Sequence, residues 1–436
     1  MTVAAPGSHR VDTYDAHRDS HYDATADAPN PLGTIVLALG PFALGYFMSY
    51  VFRAINAVVE GHLVRDIGLS PSELGLLTAA YLASFAIFQL PLGVLLDRYG
   101  PRRVQTVMMM ITASGAALFA VGQDSLTLTI ARALIGLGAG GALMGGFKAV
   151  VIWVSVPRRA LANSFVMSIG AIGLLVATRP LQEATDIFGW RQVFLVLAGA
   201  TMLVALLIFF LVPEKEAVES SDESFARQIA EIAKIFRDPA IISLTPLLAT
   251  TAGTNVAIQT LWAAPWFRDV MGAGREEVAN YLFLMAAAFF FGILFIGAVA
   301  DWFARRGFSL IGVMLGFMAL YLIAQVVIVL QLTDYALVCW LVFGMSGQVA
   351  VLAYPWLATY FGATLTGRAH TAVNLMIFGC AFVVQYAIGV IIELYPQPTP
   401  ETYDPASYKT AFGAFLAVQL AALAWFLVTA RYIRKH

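Results

Sequence analysis

The sequence predicts an all-α membrane protein: twelve transmembrane helices arranged as two pseudo-symmetric six-helix bundles. Three observations carry that expectation. The composition is too apolar for a water-facing surface, apolar runs of membrane-spanning length recur along the chain, and the second half repeats features of the first at an offset near 204 residues.

Composition comes first. The chain has 436 residues, of which 60% are hydrophobic and 12% charged, with mean hydropathy +0.78. A soluble domain carries about 25% charged residues. The formal net charge of −1 offers nothing to a nucleic acid. Cys339 and Cys380 both lie in apolar runs and read as small core residues, with no disulfide framework or metal site implied. About thirty mostly polar residues precede the first apolar run, which argues against a signal peptide. That tail (residues 1–30) holds His9, His17 and His21 among Asp and Ser and reads as disordered, with a metal-binding tail as the alternative.

A hydrocarbon core of roughly 30 Å needs about 20 apolar helical residues to cross it. Twelve stretches qualify: 33–58, 73–96, 104–122, 127–154, 160–182, 190–212, 241–265, 278–300, 309–330, 335–360, 369–393 and 408–430. An even number returns both termini to one side. Placing the termini in the cytoplasm assigns seventeen Lys or Arg to inner loops and tails and five to outer loops, the positive-inside pattern of a cell (inner) membrane protein. The remaining four, Arg53, Arg132, Lys148 and Arg179, fall inside spans. The longest inner loop, 213–240, divides an N-terminal bundle (31–212) from a C-terminal bundle (241–436). Within it Phe225, Ile229, Ile232 and Phe236 recur at helical spacing. This is the pattern of an amphipathic helix on the membrane face or of a solvated linker helix.

The repeat is visible in particular residues. Gly93-Val-Leu-Leu-Asp97-Arg98-Tyr-Gly-Pro-Arg102-Arg103 follows the second span, and Gly297-Ala-Val-Ala-Asp301-Trp-Phe-Ala-Arg305-Arg306 follows the eighth. Arg159-Ala160 and Gly170 in the fifth span match Arg368-Ala369 and Gly379 in the eleventh. Two matches in register indicate duplicated halves, and transporters built this way bind near the midplane between them.

These residues carry a family resemblance. The segment Gly93 to Arg103 resembles the loop motif of the major facilitator superfamily, with Pro101 inserted. Arg132-x-x-x-Gly136-x-Gly138 resembles that superfamily's fourth-span motif, and Gly189-Trp190-Arg191-x-x-Phe194 its lead-in to the sixth span. The resemblance runs from about residue 33 to 430. It implies secondary transport of a small solute by alternating access, as a monomer in the lipid bilayer, without enzyme chemistry or cofactor. It also implies a conformational switch at Gly93, Asp97, Arg98, Arg102 and Arg103, with Asp301 as the second-half counterpart. This charged cluster pairs with helix ends of the opposite half in one state and releases them in the other. A positive-inside anchor accounts for the arginines alone and leaves Asp97 unexplained.

A basic side chain at bilayer depth costs roughly 2.5–3.5 kcal/mol on insertion scales, so it faces a cavity or a partner. Arg53 lies on a stripe with Tyr46, Ser49, Asn56 and Glu60, spaced at helical intervals on one face of the first span. It faces either the cavity or an internal partner such as Glu60. Lys148 lies deep in the fourth span and is expected to face the cavity and hold an anionic group together with Arg53, the alternatives being snorkelling or pairing within its half. Arg132 and Arg179 sit nearer the outer ends of their spans and read as structural, with Glu183 or Asp186 as candidate partners. The seventh span offers Asn255, Gln259, Trp262 and Trp266 at steps of 4, 3 and 4, amides and indoles suited to orienting a polar solute. Gln348, Tyr354, Asn374 and Gln385 are further candidates, equally able to bond helix to helix.

Four basic residues lie in first-half spans while Glu60, Glu183, Asp186 and Glu393 all sit near outer ends. A cavity of that sign favours an anion, carboxylate or phosphate. Arg53 followed by Asn56 resembles the first-span arginine pattern of the superfamily's organophosphate and organic-anion porters. Two departures from the organic-anion symporters bear on coupling. Their acid before the first-span arginine is here Phe52, and their acid in the fourth span is here Ala139. Glu60 or His62 can substitute as proton carrier, or the chain exchanges a counter-anion or works as a uniporter. A multidrug exporter is the alternative, but the fifth span lacks a Gly-Pro pair and no buried acid is present to hold a cation. A metal importer would use methionines, yet Met314 and Met318 sit among Leu, Gly and Phe as core residues do.

Overall fold

The computed structural model describes residues 32–155, 158–213, 230, 233–347, 349–399 and 401–433. The tail with its three histidines, Phe225, Ile229 and Ile232 of the linker, and Gln348 lie outside the described residues.

Helices account for nearly all of the described chain. In the first half they are α1 (Leu32–Ala54), α2 (Asn56–Ile67), α3 (Pro71–Val121), α4 (Ser125–Ala139), α5 (Ala142–Trp153), α6 (Arg159–Val176), α7 (Arg179–Phe188) and α8 (Trp190–Leu211). In the second half they are α9 (Pro239–Ala257), α10 (Ala263–Met271), α11 (Arg275–Ala304), α12 (Leu310–Val329), α13 (Thr333–Ser346), α14 (Ala353–Glu393) and α15 (Pro405–Ile433). A π-helical turn, Ile258–Trp262, joins α9 to α10.

Among the described residues ten helical segments are long and apolar enough to cross a membrane, and α6 with α7, bent by 47°, makes an eleventh. The 51 residues of α3 would reach about 77 Å as one rod, more than twice a bilayer core. Gly100 divides it. Its φ of 74° lies where a side chain is strained and glycine is not, so the chain turns there without Pro101 having to donate an intrahelical bond. The result is twelve crossings, as the apolar runs predict.

Helix starts are marked by side chains able to cap. Ser70 and Glu73 form a capping box ahead of α3, and Asp124, Asp238 and Ser309 accept from the first-turn N–H groups of α4, α9 and α12. In lipid an uncapped N–H has no water to bond, so these residues set the span ends. Outward faces keep large apolar side chains uncovered, as on α8, where Val196 is 70% and Phe210 72% exposed. Such residues are solvated by acyl chains.

Two ends of the molecule are defined by residues used below: the Asp97 face, where the second span ends, and the Glu60 face opposite. A single apolar core runs through both halves toward the Glu60 face, including Val58, Leu63, Leu77, Trp262, Leu282 and Ile388. Toward the Asp97 face the second half keeps a separate core, with Leu244, Leu248, Met314 and Val373, and the first half another around Leu92, Leu96 and Met108. The two halves are thus knit together at one end, while toward the other each keeps its own core, with Leu90 of α3 packed against that of the second half. Met314 and Met318 are buried in that second-half core, and no metal-type cluster occurs among the described residues.

Candidate substrate site

Arg53 occupies the seam between the halves. Its guanidinium carbon lies 4.8 Å from the Tyr50 ring centre, 5.0 Å from Phe85 and 5.4 Å from Phe378. The first two rings belong to the N-terminal half and the third, on α14, to the other. Phe85 and Phe378 themselves touch across the seam, with ring centres 4.5 Å apart. Tyr81 stacks on Phe85 and Tyr50 meets Phe289 of α11 edge-on. The Arg53 Nε is buried without a hydrogen-bond partner. Among the described residues no carboxylate pairs with it, and Glu60, the internal partner considered from the sequence, bonds elsewhere.

The local fold makes this placement. Any side chain on Gly136 would put its Cβ 2.2 Å from the Tyr81 carbonyl, so the Arg132-x-x-x-Gly136 stretch lies directly against α3. Arg132 is fully buried there, donating to the Phe52 carbonyl at 2.8 Å and lying 4.8 Å from the Tyr81 ring. Among the described residues it has no carboxylate partner, contrary to the expected ion pair. It ties α4 to the turn of α1 that carries Arg53.

The other sequence candidates are spread out. Tyr46 bonds Tyr50 (3.4 Å) and Ser49 donates to the Ala139 carbonyl. Asn56 donates to Thr78 within its own half (2.8 Å), and Asn255 to the Phe343 carbonyl (3.1 Å). Asn374 accepts from Tyr354 (2.6 Å). Gln385 is fully buried between the Trp262 indole and Thr260. The π turn explains why the seventh-span face does not assemble. An extra residue in the turn at 258–262 rotates everything after it, so Trp262 and Trp266 leave the face carrying Asn255. Trp266 packs instead on Phe267 and Trp340. Gln259, inside the turn, keeps a buried Nε2 without a partner and lines a small cavity with Ala54, Val58, Leu174 and Met285.

Lys148 is not beside Arg53. Its ammonium meets Asp97 at 2.7 Å. Ser49 on α1 is level with Ala139 on α4. Lys148 is nine residues further along the antiparallel crossing, and Arg53 four residues the other way. At 1.5 Å per residue the two are roughly 20 Å apart along the bundle. The expectation that Lys148 joins Arg53 in holding the anion is therefore corrected: Lys148 pairs with Asp97 of its own half.

A family model described as Major Facilitator Superfamily matches residues 42–385. The chain belongs to that superfamily. Similar curated proteins include the probable sulfoacetate transporter SauU of Cupriavidus necator, 25% identical over 62% of this chain and 66% of that protein. Another is the niacin transporter NiaP of Acinetobacter baylyi, 25% identical over 85% of this chain and 80% of that protein. The chain spans just under two thirds of the length of the first of these. Among solved structures, a bacterial homologue of the human lysosomal transporter Spinster, inward-facing and unoccupied, superposes with TM-score 0.74 at 18% identity. That match covers 93% of this chain and 99% of that one. These superfamily relatives are transporters, not enzymes.

In this superfamily member, links between the halves cluster at the Glu60 face. Glu60, 5% exposed, bonds Arg268 of α10, and Arg268 also holds Asp269 at 2.7 Å. Asp269 in turn accepts from the Tyr408 hydroxyl (2.6 Å) and the Tyr403 N–H. Beside this, Arg275 reaches both His62 and Asp186. Burial, Arg275 and Arg65 together push the His62 imidazole below its usual pKa, against the opposing pull of Asp66 and Asp186. Arg179 pairs with Glu183 as expected and also bonds Asn280 across the seam at 2.9 Å. Glu393 accepts from Ser70 and from the Ser72 N–H. Arg268 and its tyrosines carry no motif and were invisible in the sequence. The signal that existed was Glu60 itself, a carboxylate at the end of a polar stripe.

At the Asp97 face the loop motif is arranged differently. Asp97 is spoken for by Lys148 of its own half, and Arg102 donates twice to the Phe209 carbonyl, also in its own half. Arg98 lies over Tyr99. Gly93, Arg98, Arg103 and Asp301 are exposed.

Proposed function

We propose that the protein is a secondary transporter of a small organic anion, recognised at the seam by Arg53 and moved by alternating access. The observation that carries this reading is the state of Arg53: a guanidinium between the two halves, bonded to no acid and keeping a buried unpartnered N–H. A charge left unneutralised at that depth is costly unless a ligand of opposite sign completes it. Sulfoacetate and niacin, the solutes in the relatives' names, are both carboxylic acids, which supports the sign of the site.

The positive-inside pattern puts the Asp97 face and both termini in the cytoplasm, so the conformation described is closed to the outside. Glu60 is the coupling group of this reading. It is held by Arg268 while the outer end is closed and freed when the halves part there, where it exchanges a proton. The Asp97–Lys148 pair belongs to the other state's gate.

Thermal-shift measurements on the purified protein test the reading, because a ligand that binds only the folded state stabilises it. Small carboxylates are expected to raise the Tm of the parent and not of Arg53→Gln. Stabilisation by amines in place of acids, or an equal response from Arg53→Gln, would remove the anion site and favour a drug exporter.

A further inference from the structure

We infer that the anion is a monocarboxylate carrying a flat aromatic ring, with Arg53 taking the carboxylate and the Tyr50, Phe85 and Phe378 rings taking the ring. This rests on the anion reading above and narrows it. Three observations support it.

The first is charge. One unneutralised cation faces the seam. Lys148 is neutralised by Asp97 and lies roughly 20 Å away by helix rise, while Arg132, whose Nε and Nη2 are also without partners, is fully buried inside the N-terminal half and donates through Nη1 to the Phe52 carbonyl. A second anionic group on the ligand would be brought into the seam without a partner, at high desolvation cost.

The second is hydrogen bonding. A polyhydroxylated acid needs a donor or acceptor for each hydroxyl it buries. The amides of Asn56, Asn255, Asn374 and Gln385 are already bonded within the protein. Two amide atoms are left over, the Asn56 Oδ1 and the Gln259 Nε2, both buried without a partner. That supply suits one or two polar atoms beyond the carboxylate.

The third is the wall. Rings from α1, α3 and α14 all approach the guanidinium within 5.4 Å. Phe85 is one turn from Tyr81 toward the Asp97 face, so the Phe85–Phe378 contact lies on the side from which a solute would enter. A flat ring can displace this contact and stack offset or edge-on against the same faces. A guanidinium bound to a carboxylate through its edge keeps its own faces on the rings, so the cation–π contacts survive ligand binding. An aliphatic body of equal size obtains the apolar burial but not the ring geometry.

Isothermal titration of the full chain with benzoate, cyclohexanecarboxylate and gluconate tests this. The three share one carboxylate and differ in body. Benzoate is expected to bind most tightly, and Arg53→Gln to abolish it. Phe378→Leu should weaken benzoate by about three- to tenfold, the range of aromatic pair energies, and change cyclohexanecarboxylate by less than about twofold. Phe378→Tyr, which keeps the ring, should stay near the parent. If gluconate binds more tightly than benzoate and still requires Arg53, the aromatic class is wrong and the anion site stands. Equal losses of benzoate and cyclohexanecarboxylate in Phe378→Leu would likewise reduce Phe378 to apolar packing and overturn the class. If none of the three binds in an Arg53-dependent manner, the anion reading itself fails.

Discussion

Two of the arginines at the seam, Arg268 and Arg53, are treated oppositely. Arg268, near the Glu60 face, is held between Glu60 and Asp269, whose side chains are 6% and 1% exposed. Arg53, in the middle, is held by rings. The first has its charge answered by its own chain, with tyrosines bonding the answering acid in turn. It is a latch, strong when both partners are present and replaceable by nothing a solute brings. The second is stabilised by the quadrupoles of aromatic faces and by the nearby Tyr81 hydroxyl and keeps its buried Nε without a partner. The difference assigns one arginine to conformation and the other to recognition.

Breaking the latch should produce the largest conformational effect. Losing one partner of a buried ion pair costs about 3–5 kcal/mol, although Arg268 retains Asp269 and the cost here falls toward the lower end. Glu60→Gln is therefore expected to open the Glu60 face. Spin labels at Ile187 and Leu394, both exposed on that face, in a background lacking Cys339 and Cys380, should show a new long-distance population. An unchanged distance distribution would mean that apolar packing alone holds the end shut.

The pair at the other end is weaker. Lys148 and Asp97 are 36% and 42% exposed, where an ion pair contributes about 0–1 kcal/mol. Asp97→Asn should slow liposome uptake by up to about fivefold and leave equilibrium binding within a few-fold. Complete loss of binding by folded Asp97→Asn would place this pair in recognition and undo the contrast with Arg53.

His62 sharpens the comparison through pH. Its pKa is lowered in the closed arrangement, so the neutral ring is the form that fits between Arg65 and Arg275. That contribution is present at neutral pH and is lost as acidification protonates the ring, with Asp66 and Asp186 moderating the loss. The closed population of the spin-labelled pair should fall from about pH 7 to about pH 5, and His62→Gln should flatten the part of the profile due to this ring. Identical profiles in parent and His62→Gln would remove it from the latch. The smallest effect is expected at Arg179, whose pairs are largely solvent-exposed. Arg179→Gln should leave carboxylate affinity within about twofold.

Much of the fold was legible because its cause is local. A span needs a run of apolar residues, and that requirement is met within the run itself. Arg53 was legible for a similar reason: an arginine within a spanning stripe requires an explanation by itself. Long-range partners were not. Lys148 and Asp97 are 51 positions apart, and Glu60 and Arg268 are 208 apart. A sum of buried charges gives a sign without showing which charges are neutralised. Asn255 and Trp262 seemed to share a face because a 3.6-residue period was assumed through a turn that is π-helical. The rings round Arg53 carried no signal, since Phe85 and Phe378 are two of 30 phenylalanines in the chain.

The most direct measurement sets the two first-half cations side by side: titration of one carboxylate, chosen from the thermal-shift screen, into the parent, Arg53→Gln, Arg53→Lys and Lys148→Gln. Truncating one partner of a buried charge pair costs about 2–5 kcal/mol. Arg53→Gln should therefore weaken binding by well over tenfold, and Arg53→Lys should recover only part of it because the planar fork is lost. Lys148→Gln should stay within a few-fold of the parent. A Lys148→Gln loss equal to that of Arg53→Gln, or an Arg53→Gln protein that binds as the parent does, would contradict the separation of recognition from switching.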